Sequence, residues 1–383
     1  MKKIEGILYS DNSKVSIEIE NGVIKNIESV TTFENENSNK NYIAPGLIDN
    51  QINGYLGIEF SLHNLVTEDM IKVVNTLYTK GVTSFLPTVI TASHESLMNS
   101  FTNLARARKH SDIADSIPGY HLEGPYITSE EGYRGVHSLK DIRKPDWDEF
   151  QKLNEVAEGR ILQVTLAPEV DGAVEFIKKC VQHNIVVSLG HYNATAAVVK
   201  KAVDAGAKTV THLGNGCANT INRFTNPFWM VMAEDRLMSS LILDGFHLLP
   251  EMVSTFYRTK GKDRIILTSD MTMLAGLPPG DYHWDTKDVV LTDEGVIRSK
   301  EDNCFAGASL TLDVGVGNMM KFTGCSLEEA INMASKNPAS LYNFEDRGTI
   351  AAGKRADLIL FNVEDNKLDI VQTLVGGVEK YNK

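Results

Sequence analysis

Eight short apolar runs recur along the middle of the chain, separated by longer polar or amphipathic stretches. They lie at Gly46–Gln51, Thr83–Thr88, Gly119–Leu122, Leu162–Leu166, Ile185–Leu189, Thr209–His212, Ser239–Leu243 and Arg264–Thr268. Segments such as TEDMIKVVNTLYTKG, AVEFIKKCVQHN and ATAAVVKKAVDAG between them carry apolar residues at helical spacing. Strands that alternate with helices must run parallel, because a crossover helix returns the chain to the same edge. Eight such units over about 300 residues predict an α/β fold, a (β/α)8 TIM barrel.

The two ends read differently. KKIEGILYS, KVSIEIENGVIKNIESV and NYIAPG alternate apolar and polar residues, and Asn21–Gly22 is a hairpin signal. The tail, GTIAAGKRADLILFNVEDNKLDIVQTLVGG, is again strand-like, with turns at Ala352–Gly353 and near Asp365. Both ends together predict a small β-sandwich domain, residues 1–45 and 346–383, beside a barrel of residues 46–345. The polar stretch TTFENENSNKN reads as a loop, and residues 277–303 as an insertion with hairpin character after the eighth strand.

A formal net charge of −12 gives no support to a nucleic-acid or anionic-membrane role. The four cysteines, Cys180, Cys217, Cys304 and Cys325, form no C-x-x-C pair, which argues against a disulfide framework or a thiolate zinc site. Cys217 has nothing beside it in sequence to act as a base. The opening MKKIEGILYSDN lacks the apolar run of a signal peptide, and no run of about 18 apolar residues predicts a spanning helix. The expected compartment is the cytoplasm.

In a barrel of this kind the chemistry sits at the C-terminal ends of the strands. Those ends carry Gln51, Glu123, His191, His212, His247 and Asp270 after apolar runs. Any one of these can be a cap or a turn residue; six at matching positions make a site. Two imidazoles and a carboxylate, from His191, His212 and Glu123, suit a divalent transition metal with a position left open for an activated water. Asp270, at the eighth strand, faces the same mouth and can move a proton between that water and a leaving group. His121 points opposite to Glu123's immediate neighbours by strand alternation and reads as a core or supporting residue.

The ordered set APGLIDNQING, HLEGPY, GVH, TLAPE, GHYNAT, THLGN, LDGFHL, TSD, AGASLTLD, NPA and GTIAAGKRADL closely resembles the N-acetylglucosamine-6-phosphate deacetylases of the amidohydrolase superfamily. The resemblance covers nearly the whole chain. It implies metal ligands Glu123, His191 and His212, and Asp270 as the catalytic acid–base. It implies substrate contacts at Val136, His137, Asn215, Gly216, Arg223, Asp244, His247, Phe305, Ala306 and Gly307, with Arg223 on the sugar phosphate across a homodimer interface.

Gln51 and Asn53 stand where many superfamily members have a His-x-His pair, and no lysine ends strand four. Both departures imply one metal per subunit, Zn2+ first, with Fe2+, Mn2+ and Co2+ chemically compatible. The implied reaction removes the N-acetyl group from N-acetyl-D-glucosamine 6-phosphate, with no nucleic-acid or membrane partner. The alternatives are a deacetylase of another N-acetylhexosamine, such as N-acetylgalactosamine 6-phosphate or an unphosphorylated sugar, a different N-acyl or cyclic-amide amidohydrolase, and a non-catalytic sugar-binding protein.

Overall fold

The eight central runs become eight parallel strands: β1 (Leu47–Ile52), β2 (Val82–Ile90), β3 (Tyr120–Glu123), β4 (Ile161–Leu166), β5 (Val186–Leu189), β6 (Thr209–Val210), β7 (Met238–Ile242) and β8 (Ile265–Thr268). This computed structural model describes residues 2–34, 41–61, 64–284, 287–301 and 304–383. The strands pair in sequence order, each with the next. The ring closes between β1 and β8 through an Ile52–Met271 bridge and a 3.0 Å hydrogen bond from Asp270 N to Gln51 O.

Helices wrap the ring by burying one face. In Thr67–Tyr78 the buried residues Met70, Val73, Val74 and Leu77 fall at i, i+3, i+4 and i+7, and Glu68 and Asp69 lie in its first turn, where the helix dipole favours anions. Outward-facing strand residues such as Leu122, Val164, Leu166, Val187 and Leu189 complete that apolar layer. The inward residues are apolar at one end, where Leu86, Val186 and Ile266 pack with Leu341 and Tyr342, and polar toward the mouth. Asn50 Nδ2 donates to Tyr342 Oη, which donates to Gln163 Oε1; Gln163 Nε2 lies 3.1 Å from His121 Nε2. His121 Nε2 is 2.7 Å from Thr165 Oγ1, which is 2.7 Å from Thr211 Oγ1. A connected polar chain therefore runs up the barrel axis toward its mouth.

Both ends of the chain meet in one seven-stranded sheet. Its order is Val378–Asn382, Lys367–Val375, Leu358–Glu364, Tyr42–Pro45, Lys2–Leu8, Lys14–Glu20 and Val23–Ser29. Only the Lys2–Leu8 and Tyr42–Pro45 pair is parallel. Asn21 and Gly22, at φ 52° and 79°, make the tight hairpin turn expected of that dipeptide. The sheet curls until Ala356 N bonds Gly22 O at 2.8 Å and Ile24 N bonds Lys354 O at 2.8 Å. The sandwich so formed encloses an aliphatic cluster that includes Ile4, Ile17, Ile19, Ile24, Ile43, Leu358 and Leu374.

The insertion after β8 is a small antiparallel sheet: β9 (Gly280–Trp284), β10 (Lys287–Leu291) and β11 (Ile297–Ser299). Val289, Leu291 and Ile297 pack with Leu274 and Ala306, which fastens this sheet to the barrel mouth. Part of the polar loop expected over 31–41, and His63, fall outside the described residues. Among the described residues no helix is long and apolar enough to cross a membrane, and the four cysteines form no disulfide.

Candidate active site and metal centre

Glu123, His191 and His212 converge where β3, β5 and β6 end. Glu123 Oε1 lies 3.0 Å from His212 Nε2 and 3.4 Å from His191 Nε2, and the two Nε2 atoms are 3.1 Å apart. Ligands bound at about 2.0–2.1 Å around a tetrahedral ion lie roughly 3.3–3.4 Å from one another, so the spacing fits a divalent ion. All three side chains are buried, and they form the one metal-capable cluster found among the described residues. His191 Nδ1 lies 2.9 Å from the Tyr133 carbonyl, which only accepts, so Nδ1 donates there and Nε2 is the atom turned to the cluster. Burial works against the Glu123 carboxylate, but the two imidazoles outweigh it and hold the group well below its ordinary range.

The backbone at these positions is unusual. His191, His212 and Asp270 take φ of 53°, 33° and 50° directly after their strands. Left-handed non-glycine residues store about 1–3 kcal/mol each and cluster at functional sites. Here the twist turns each side chain off the strand direction and into the mouth. Two glycines frame His191: a Cβ at Gly216 would lie 2.9 Å from its Nδ1, and one at Gly135 would lie 3.2 Å from its Cε1.

Asp270 is wholly buried, and burial pushes its carboxyl up to about 7. Gln51 Nε2 donates to both Glu123 Oε1 at 3.0 Å and Asp270 Oδ1 at 2.9 Å; Asn53 Nδ2 adds a bond to Asp270 Oδ1 at 2.8 Å. Gln51 and Asn53, singled out in the sequence for what they replace, thus act as amide donors. Gln51 bridges the Glu123 carboxylate to that of Asp270, and Asn53 holds Asp270 alone. β4 ends in Leu166 and is followed by Ala167, both buried and apolar, which offer no ligand for a second ion.

The cavity at this mouth is about 430 Å3, within the usual range for a small-molecule site. Val136, His137, Asn215, Gly216, Phe305 and Gly307 line it with the metal cluster. His137 Nε2 lies 3.2 Å from His191 Nε2, and its Nδ1 lies 2.7 Å from Thr91 Oγ1. Burial drives His137 down to about 3, so its ring is neutral. The buried Asn215 Nδ2 has no partner among the described residues and is available to a ligand. His247 lines the cavity and is held at Nδ1 by Asp244 Oδ2, 2.7 Å away; Asp244 itself lies behind the wall. Burial penalises the charge on Asp244, yet the His247 ring and backbone bonds keep it below its usual value. Ala306 is buried beneath the lining.

Arg223 is elsewhere. It is exposed, its guanidinium lies 4.4 Å from the Phe224 ring centroid, and it does not line the cavity of its own chain. Thr91, Trp284 and Arg298 are among the lining or supporting residues that escaped sequence reasoning. β2 runs to Ile90 and not to Thr88, so the mouth residue is Thr91, while Thr88 lies inside the barrel 3.3 Å from His121 Nδ1. Trp284 and Arg298 belong to the inserted sheet, whose hairpin pattern says nothing about what it covers.

The fold and this cluster define a class, and comparison with known proteins agrees. The profile of the Amidohydrolase family matches residues 42–380, and the chain belongs to that family. It is 30% identical over 394 residues to N-acetylglucosamine-6-phosphate deacetylase of Bacillus subtilis, across 97% of this chain and 96% of that protein. It is 30% identical over 366 residues to N-acetylgalactosamine-6-phosphate deacetylase of Escherichia coli O157:H7, across 94% and 93%. The crystal structure of N-acetylglucosamine-6-phosphate deacetylase from Thermotoga maritima matches with a TM-score of 0.87 at 31% identity, over 100% of both chains. Within the family the chain is a member of the N-acetylglucosamine-6-phosphate deacetylase group.

Proposed function

We propose that the chain hydrolyses N-acetyl-D-glucosamine 6-phosphate to D-glucosamine 6-phosphate and acetate. The observation that carries this reading is a buried Glu–His–His cluster and a buried, titrating Asp270 bridged by Gln51 in one sugar-sized cavity. Glu123, His191 and His212 would hold one divalent ion per subunit, Zn2+ by the chemistry of the donor set. Such an ion supplies Lewis acidity, polarising the amide carbonyl and acidifying a water.

The chain's own residues do the rest. Asp270 takes the proton of the attacking water and later delivers it to the departing amine; a pKa near 7 suits both tasks. Gln51 and Asn53 hold its Oδ1 in place. The neutral His137 ring, fixed by Thr91, is a hydrogen-bond donor for the developing oxyanion. Asn215 and His247 are positioned for the sugar hydroxyls, with the Phe305–Gly307 backbone beside them.

We also propose a homodimer. Phe224 and Trp229 are 75% and 60% exposed, the two most exposed aromatic side chains among the described residues, and they flank Arg223. A second copy seated there would cover them and bring Arg223 to the neighbouring mouth. The division into a β domain of residues 1–45 and 346–383 and a barrel of residues 46–345 belongs to the same reading. So does a cytoplasmic site of action, which suits cysteines without disulfides.

The test is acetate release by metal-replete protein from N-acetylglucosamine 6-phosphate, its galactosamine epimer and unphosphorylated N-acetylglucosamine. A strong preference for the first is expected. Preference for the epimer, or turnover of none, would overturn the assignment.

A further inference from the structure

The cavity that holds Glu123, His191, His212 and Asp270 also reaches the inserted sheet, where Trp284 and Arg298 line it. Arg298 is the one lysine or arginine among the lining residues. It makes no ion pair among the described residues; its guanidinium lies 4.5 Å from the Phe305 ring centroid, and Phe305 in turn lies 4.6 Å from the His247 ring. An arginine facing a cavity without a carboxylate partner, in a chain of net charge −12, is an anion site waiting for its anion.

The placement is built into the backbone. Arg298 pairs with Phe305 across an antiparallel bridge, framed by bonds from Ser299 N to Cys304 O at 3.0 Å and from Ala306 N to Ile297 O at 3.1 Å. Directly opposed residues share a face, and alternate residues point the other way. Ile297 and Ser299 are buried on the far face, so Arg298 and Phe305 stand together on the cavity side. The guanidinium lies over the Phe305 ring, a contact that leaves its edge N–H groups to donate to an anion.

We propose that Arg298 is the phosphate-binding residue supplied within the chain, a specificity determinant that receives the sugar 6-phosphate in this cavity. The proposal rests on the deacetylase reading for the identity of the sugar, and on the cavity alone for the anion. It requires no dimer. Where Arg223 would act only from a second copy, Arg298 acts in its own subunit. A phosphate dianion leaving water needs charge-matched donors, and Arg298 supplies a planar fork of them.

The experiment uses the full-length, metal-loaded protein and its Arg298→Met and Arg298→Lys variants. Acetate release is followed from N-acetylglucosamine 6-phosphate and from N-acetylglucosamine, and inorganic phosphate binding is measured by calorimetry. In Arg298→Met, KM for the phosphorylated sugar is expected to rise roughly 10- to 100-fold with kcat within a few-fold, the range for losing a charged hydrogen bond. The ratio of kcat/KM between the two sugars falls by the same factor, phosphate binding weakens, and Arg298→Lys recovers part of each.

Equal losses toward both sugars with a lowered Tm would make Arg298 a packing residue and overturn the proposal, as would an unchanged ratio. If the parent protein turned over neither sugar, the deacetylase reading would fall and the calorimetry would decide separately. Phosphate bound by the parent and lost in Arg298→Met upholds the anion site. No binding by the parent, or equal binding by both, overturns it.

Discussion

The terminal sheet and the barrel both enclose an inner face, and they fill it by opposite means. The sheet closes over Ile4, Ile17, Ile19, Ile24, Ile43, Leu358 and Leu374. Toward its mouth the barrel closes over Asn50, Gln163, His121, Thr165, Thr211 and Ser188, joined with Tyr342 in one hydrogen-bonded network. Aliphatic contacts are non-directional: they stabilise in proportion to area buried and aim nothing. Hydrogen bonds fix direction, and a satisfied buried network rigidifies what it supports. The sheet gains stability; the barrel gains a floor on which Glu123 and Asp270 can be set to within a fraction of an ångström. That division predicts that stability and activity separate by region.

The largest separation is expected from Asp270→Asn. Loss of the acid–base group should lower kcat by roughly 10^2- to 10^4-fold in acetate-release assays. Metal content by elemental analysis should match the parent. Because burial disfavours the Asp270 charge, Tm should stay level or rise; a clear fall in Tm would break the contrast.

Ile17→Ala should do the reverse. Emptying a fully buried isoleucine site costs about 2–5 kcal/mol, measured by denaturant unfolding, with kcat/KM of the folded enzyme unchanged. Gly216→Ala comes next. Its new methyl meets the His191 ring and φ is 58°, so metal retention in a chelator competition should weaken more than Tm falls.

Thr165→Val sharpens the comparison further. It deletes the hydroxyl between His121 and Thr211 and should cost about 1–3 kcal/mol. Matched against Ile17→Ala, with its equal or greater stability loss, it should still show the lower kcat/KM. Equal kinetics would mean the polar interior supports the fold only. The smallest effect concerns pH. Asn53 donates to the Asp270 carboxylate and so lowers its pKa; Asn53→Ala removes that bond. Since turnover needs the ionised form, the acid limb of kcat/KM should move to higher pH by less than about one unit.

The same contrast explains what the sequence disclosed. Barrel strands announced themselves because their outer faces pack under helices, and all eight observed strands lie within two residues of their expected ends. Polar residues at or just past the strand ends are visible in sequence alone, which is why Glu123, His191, His212 and Asp270 were singled out; the structure brings them to one mouth. Side-chain alternation also put His121 among the buried supports. Thr91 was missed because β2 runs two residues beyond the expected Thr88, to Ile90. Arg298 and Trp284 were missed because a hairpin's own pattern fixes its turns and not its docking partner. Gly216 was read as a substrate contact; the structure adds that it makes room for His191.

The seven-stranded sheet has one more consequence, for the chain as it is being made. Lys2–Leu8, Lys14–Glu20 and Val23–Ser29 can pair as soon as they leave the ribosome, since their contacts are local. Tyr42–Pro45 cannot complete its pairing until Leu358–Glu364 has been translated, after the entire barrel. Throughout that interval a nascent protein carries an unpaired strand edge beside an uncovered face of Ile4, Ile17, Ile19 and Ile24, the kind of surface that recruits chaperones or other copies of itself. Release of the last strands is therefore the event that ends this exposure.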